Sequence, residues 1–113
     1  MGLRRGTRLT DSPEFERVYK QGTAYRGKLF SVHAFPREAG GSRLGLSVSK
    51  KVGNAVVRNS VKRRLREVFR SRLPEIRDGW DFVISARPAA AGVDYRDLDT
   101  EFGRALKRLG DHS

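Results

Sequence analysis

Arg58, Lys62, Arg66 and Arg70 recur every four residues, and Val57, Val61, Leu65 and Phe69 recur at the same interval one position earlier. On a helix this sets a basic stripe about 100° around from an apolar one. Between Ala55 and Leu73 the only acid is Glu67, against seven Lys and Arg. A merely solvated helix face mixes signs, because opposite charges four apart stabilise each other and like charges repel. A one-sign stripe beside a buried one is the pattern of a helix that rests on a core and offers guanidinium groups to a polyanion.

Other chemistry is poorly served. The chain has no cysteine, which excludes disulfides, thiolate metal sites and a Cys nucleophile. Of its two histidines, His112 is near the end of the sequence and His33 sits alone on an alternating segment, more fitting for a groove than for a general base. Asp97, Asp99 and Glu101 cluster near an expected helix start, where the dipole stabilises carboxylates; a two-metal site is the competing reading. No zinc spacing exists, and the Gly53-Asn54 loop lacks the phosphate-loop pattern. What remains is basic groups beside aromatics, the combination that binds single-stranded nucleic acid.

The charge is placed accordingly. The net charge is +11, but residues 1–73 carry 18 basic and 5 acidic side chains while residues 74–113 carry 6 and 8. One anion-binding side is expected. Arginine outnumbers lysine 18 to 6, and arginine forks match phosphate oxygens bidentately. The length of 113 residues suits one domain. No apolar run approaches a membrane span or a signal peptide, so a cytoplasmic protein is expected.

The elements that position these groups can be read in order. Residues 1–10, with Arg4, Arg5 and Arg8, are expected to form a flexible basic arm. Ser12-Pro13-Glu14 starts a helix that runs to about Lys20 and presents Phe15, Val18 and Tyr19 on one face. A short strand is possible near 23–26. Leu29 to Phe35 alternates, 36–42 is a turn, and Arg43 to Ser49 returns, so the two strands are expected to pair as an antiparallel hairpin. Its second face holds small or polar residues and looks like a floor rather than a core. Asn54 caps the basic helix, and Leu73-Pro74 ends it. Trp80 to Ala86 is apolar enough to be a central strand, and Asp94 starts a last helix whose Leu98, Phe102, Ala105, Leu106 and Leu109 make a core stripe.

The stretch Gly45-Leu46-Ser47-Val48-Ser49-Lys50-Lys51-Val52-Gly53-Asn54-Ala55-Val56-Val57-Arg58-Asn59, continued by Val61-Lys62-Arg63-Arg64-Leu65-Arg66-Glu67 and Phe69-Arg70, resembles the protein subunit of bacterial ribonuclease P. So do Phe15-Glu16-Arg17-Val18-Tyr19, Gly22-Thr23 and Asp81-Phe82-Val83-Ile84. The resemblance implies an α+β fold: a two-layer α/β sandwich with a four-stranded mixed sheet, three helices and a left-handed β-α-β crossover, similar to a domain of ribosomal proteins. It implies a single domain spanning 1–113 that partners a catalytic RNA. That RNA, with Mg²⁺, removes the 5′ leader of precursor tRNA, while the protein supplies no catalytic residue and needs no protein partner.

Carried over by position, the resemblance implies that Asn54, Arg58, Asn59, Lys62, Arg63, Arg66 and Arg70 bind RNA. Phe15, Tyr19, His33, Ser47, Ser49, Lys50 and Lys51 would border the leader cleft. Ser60 stands where the family commonly has an arginine, and His33 where it often has tyrosine, a change that adds the prospect of pH sensitivity below neutrality. Two other readings are a structural protein of folded RNA on the same fold and a stand-alone metal nuclease. A membrane-surface helix is more distant, since the basic helix is embedded between strands.

Overall fold

The structure is a computed structural model that describes residues 23–36, 41–76 and 79–110. Four strands, β1 (Thr23–Arg26), β2 (Phe30–Pro36), β3 (Arg43–Ser47) and β4 (Trp80–Ala86), form one sheet in the order β1-β2-β4-β3. β1 with β2 and β2 with β4 are antiparallel; β3 with β4 is parallel. Two α-helices, α1 (Ala55–Ser71) and α2 (Tyr95–Gly110), lie among the described residues rather than the three expected. The helix expected at 13–20, with Phe15 and Tyr19, and the basic arm 1–10 fall outside the described residues.

Register explains the core. Val32 and Leu46 both lie opposite Ile84, and Leu44 lies opposite Phe82, so one face of the sheet is continuously apolar. Val61, Leu65, Val68 and Phe69 from α1 and Leu98, Phe102, Ala105 and Leu109 from α2 join that face in a single hydrophobic cluster. Phe69, Phe82 and Phe102 meet there, with ring centroids 5.7–6.5 Å apart and tilted or edge-on contacts. The fold is thus α+β with a mixed four-stranded sheet under two helices.

The expected β2–β3 hairpin is not formed, because β4 lies between the two strands. Their mutual direction is as expected, since β2 is antiparallel and β3 parallel to the same neighbour. The pairing differs because β4 is apolar on both faces, with Phe82, Val83 and Ile84 all buried, and such a strand is stabilised most in the sheet interior. The second face is also less open than a floor: Ser31, His33, Asp81 and Val83 are all buried.

Two tethers hold α2 in place, one to the sheet and one to α1. Glu101 of α2 is buried and its Oε2 accepts from the backbone N–H of Leu29 (2.9 Å) and Phe30 (3.2 Å), holding the β1–β2 turn. A Cβ on Gly27 would collide with that carboxylate and lie 2.8 Å from the Tyr25 ring, so the turn requires glycine there. Arg72, which caps the end of α1, donates Nε and Nη2 to the two Asp99 oxygens of α2 (2.7 and 3.1 Å) and Nη1 to Glu75.

Candidate nucleic-acid interface

The interface is built at the junction of β3 and α1. After Ser47 the chain turns twice: Val52 N–H donates to the Ser49 carbonyl and Gly53 N–H to that of Lys50, while the Ser49 hydroxyl accepts from Lys51 N–H (3.3 Å). These turns leave Ser49, Lys50 and Lys51 exposed. Gly53 has φ +157°, and a Cβ there would sit 2.8–2.9 Å from Val57 side-chain atoms, so only glycine lets the loop pass this close over the helix. Asn54 then caps α1, its Oδ1 accepting from Val57 N–H at 3.0 Å. The first turn of α1 contains no acid, so the positive end of the helix is uncompensated.

Along α1 the expected stripe is buried at Val61, Leu65 and Phe69, with Val68 added to it, while Val57 is only half-buried. The basic stripe lies on its flank. Arg58, Lys62 and Arg66 are half-buried; Asn59, Arg63 and Arg70 are exposed. Half-burial lays the stems along the helix and keeps the charged ends in water. Arg58 folds back so that its Nε donates to the Gly53 carbonyl (3.2 Å), which brings its guanidinium to the loop that carries Lys50 and Lys51. Among the described residues no carboxylate lies within ion-pair distance of Lys50, Lys51, Arg58, Lys62, Arg63 or Arg70.

The contrast with Arg43 and Arg72 is informative. Arg43 donates to both oxygens of the fully buried Asp81 at 2.8 Å, and Arg72 is held by Asp99 and Glu75. Arg43 and Arg72, which hold the fold together, are neutralised; Arg58, Arg63 and Arg70 on α1 have no described carboxylate beside them. The acidic cluster expected near the start of α2 is likewise dispersed: Asp99 serves Arg72, and Glu101 serves the β1–β2 turn. Among the described residues no group of three or more potential ligands gathers for a metal.

The expected cleft residues are placed unevenly. Ser47, Ser49, Lys50 and Lys51 follow one another from the end of β3 into the loop. His33 lies on the same sheet face as Ser47 but is only 8 % exposed. Its burial, and then the Arg26 charge, push the imidazole below its ordinary pKa, so it is neutral at neutral pH. One residue escaped the sequence reading: Val56, 78 % exposed at the start of α1. It lies outside the four-residue rhythm that begins at Val57.

Comparison with known proteins bears on this geometry. The Ribonuclease P family model matches residues 3–110. The chain belongs to the ribonuclease P protein family. It is 39 % identical over 110 residues to the ribonuclease P protein component of a Picosynechococcus species, covering 96 % of this chain and 91 % of that one. It is 38 % identical over 104 residues to that of Clostridium botulinum, covering 91 % and 94 %. Among solved structures, a Staphylococcus aureus ribonuclease P protein mutant with defective mRNA degradation activity superposes with TM-score 0.84 at 33 % identity, covering 93 % of this chain and 89 % of that one. The Thermotoga maritima ribonuclease P protein gives TM-score 0.81 at 31 % identity, covering 90 % and 96 %. Among the described residues no helix is long and apolar enough to cross a membrane.

Proposed function

We propose that this ribonuclease P protein binds the catalytic RNA subunit and the 5′ leader of precursor tRNA, and that the RNA carries the chemistry. One observation supports this most: Lys50, Lys51, Arg58, Lys62, Arg63 and Arg70 have no described carboxylate within ion-pair distance, whereas Arg43 and Arg72 are paired. A phosphodiester chain supplies that missing charge along its length. Asn54, Arg58, Asn59, Lys62, Arg63, Arg66 and Arg70 on α1 are assigned to RNA contacts. Ser47, Ser49, Lys50 and Lys51, with His33 beneath and Phe15 and Tyr19 from the preceding segment, are assigned to the leader path. Ser60, in place of an arginine, leaves one contact fewer on α1.

The division of labour follows from chemistry. Phosphodiester cleavage needs an activated nucleophile and charge stabilisation at the leaving oxygen, commonly from metal ions. The protein brings cations and hydrogen-bond donors; Mg²⁺ would be held mainly by the RNA. The cytoplasm as its compartment and the left-handed sense of the β3–α1–β4 crossover belong to the same family reading.

Reconstitution tests the proposal. Protein added to the catalytic RNA at low Mg²⁺ should restore cleavage of precursor tRNA, and protein with Mg²⁺ alone should not cut. RNA binding without any restored cleavage would favour a structural role, and cleavage by protein alone would favour a nuclease.

A further inference from the structure

A second cationic surface lies on α2, beside β1. A cavity of about 320 Å³ opens between edge strand β1 and the C-terminal half of α2, lined by Tyr25, Arg104, Lys107 and Arg108. The three cations sit at positions i, i+3 and i+4 and so share one helix face. Among the described residues no carboxylate lies within ion-pair distance of them, because Asp99 and Glu101 are turned to Arg72 and to the β1–β2 turn. Lys107 and Arg108 occupy the last turn, where the dipole welcomes cations. That effect fades within a turn, so it accounts for neither Arg104 nor the aromatic ring beside it.

Tyr25 is half-buried, and Gly27 is what admits its ring: a Cβ there would fall 2.8 Å from Cε2. The ring therefore lies against the backbone of the β1–β2 turn at Gly27. Since β1 and β3 are opposite edges of the sheet, this cavity and the loop that follows β3 lie on opposite sides of the domain. Roughly 14 Å of strand spacing separates the two edges.

We propose that Tyr25, Arg104, Lys107 and Arg108 form a second RNA-binding site, which takes a ribonucleotide stretch distinct from those on α1, with phosphates on the three cations and a base against Tyr25. An aromatic platform beside unneutralised cations suits a nucleic-acid strand better than an acidic peptide, which has no use for the ring. The inference takes the class of ligand from the reading above; the site itself stands on separate residues.

The test uses the full chain and a short labelled oligouridylate. Four proteins are compared: the natural chain; one with Arg58→Gln, Lys62→Gln and Arg63→Gln; one with Arg104→Gln, Lys107→Gln and Arg108→Gln; and one with both sets. The second set should reduce the log–log salt slope by roughly 2, at about 0.7 per phosphate contact. It should also remove most of the binding left by the first set. Tyr25→Leu should weaken binding roughly 5- to 150-fold while Tyr25→Phe keeps it, the range expected for loss of one stacked base. Circular dichroism of each variant checks the fold, and the Phe variant preserves packing if the Leu variant does not.

Unchanged affinity and salt slope in the second set would overturn the proposal. So would displacement at this site by oligoglutamate but not by RNA. Loss of binding in the second set with none in the first would instead refute the α1 reading and leave this one standing.

Discussion

Glu101→Ala should unfasten the β1–β2 turn from α2. The carboxylate is 5 % exposed and accepts from two backbone N–H groups, Leu29 at 2.9 Å and Phe30 at 3.2 Å. Alanine leaves both donors without their acceptor, Phe30 at a buried position and Leu29 at a half-buried one. Each unsatisfied buried donor costs about 1–3 kcal/mol, and the two share one oxygen, so the loss is about 3–4 kcal/mol rather than a full sum. Against a total stability of about 5–15 kcal/mol that is a large fraction. For a domain of this size it lowers the melting temperature by roughly 12–16 °C. Glu101→Gln retains an acceptor but not the charge and should cost about half as much, since charge-assisted bonds are roughly twice as strong as neutral ones. Gly27→Ala supplies a cross-check, because its added methyl collides with the same carboxylate. The double variant Gly27→Ala/Glu101→Ala should therefore lose less than the two single losses combined. Urea and thermal denaturation measure all four variants beside the natural chain. A Glu101→Ala change within about 0.5 kcal/mol of the natural chain, or a strictly additive cycle, would refute the reasoning.

Three further outcomes are expected. Neutralising Arg58, Lys62 and Arg63 should lower the salt slope for single-stranded leader RNA by roughly 2 and leave the melting temperature nearly unchanged; anisotropy titrations over a salt series decide it. Asn54→Ala should cost about 1 kcal/mol through the lost cap on Val57 N–H, and Asn54→Asp should restore most of that stability but not RNA affinity, because it adds an anion at the interface. Stability should fall as pH drops below about 6.5, because His33 has a depressed pKa when folded and the unfolded chain takes up the proton first. His33→Gln should flatten that part of the profile in a pH series of denaturation curves.

Much of this could be read in the chain itself, and the exceptions share a cause. The four-residue rhythm of Val57, Val61, Leu65 and Phe69 is a local signal, and so are the caps at Asn54 and Asp94, whose Oδ1 accepts from Asp97 N–H. All appear where the spacing puts them. The second partner of β2 is not a local property: the next strand along the chain is β3, but β4 arrives from the far side of α1 and takes the place between them. Ion pairs such as Arg43–Asp81 and Arg72–Asp99 join residues 38 and 27 positions apart, so composition counts their arginines as available when the fold has used them. His33 shows the same limit. Alternation gives its face of the strand, but its burial depends on what the whole chain lays over that face.

The interior place of β4 also sets an order of assembly. β3, which anchors the loop holding Lys50 and Lys51, has β4 as its sheet neighbour, and β4 ends at Ala86. During synthesis at about 5–20 residues per second, roughly forty residues must follow β3 before that neighbour exists, a wait of some 2–8 s. Through that interval the most cationic part of the chain has emerged without the strand pairing that shapes it. A nascent chain in this state would meet polyanions before the loop that follows β3 has its sheet support, which comes only when Trp80–Ala86 docks.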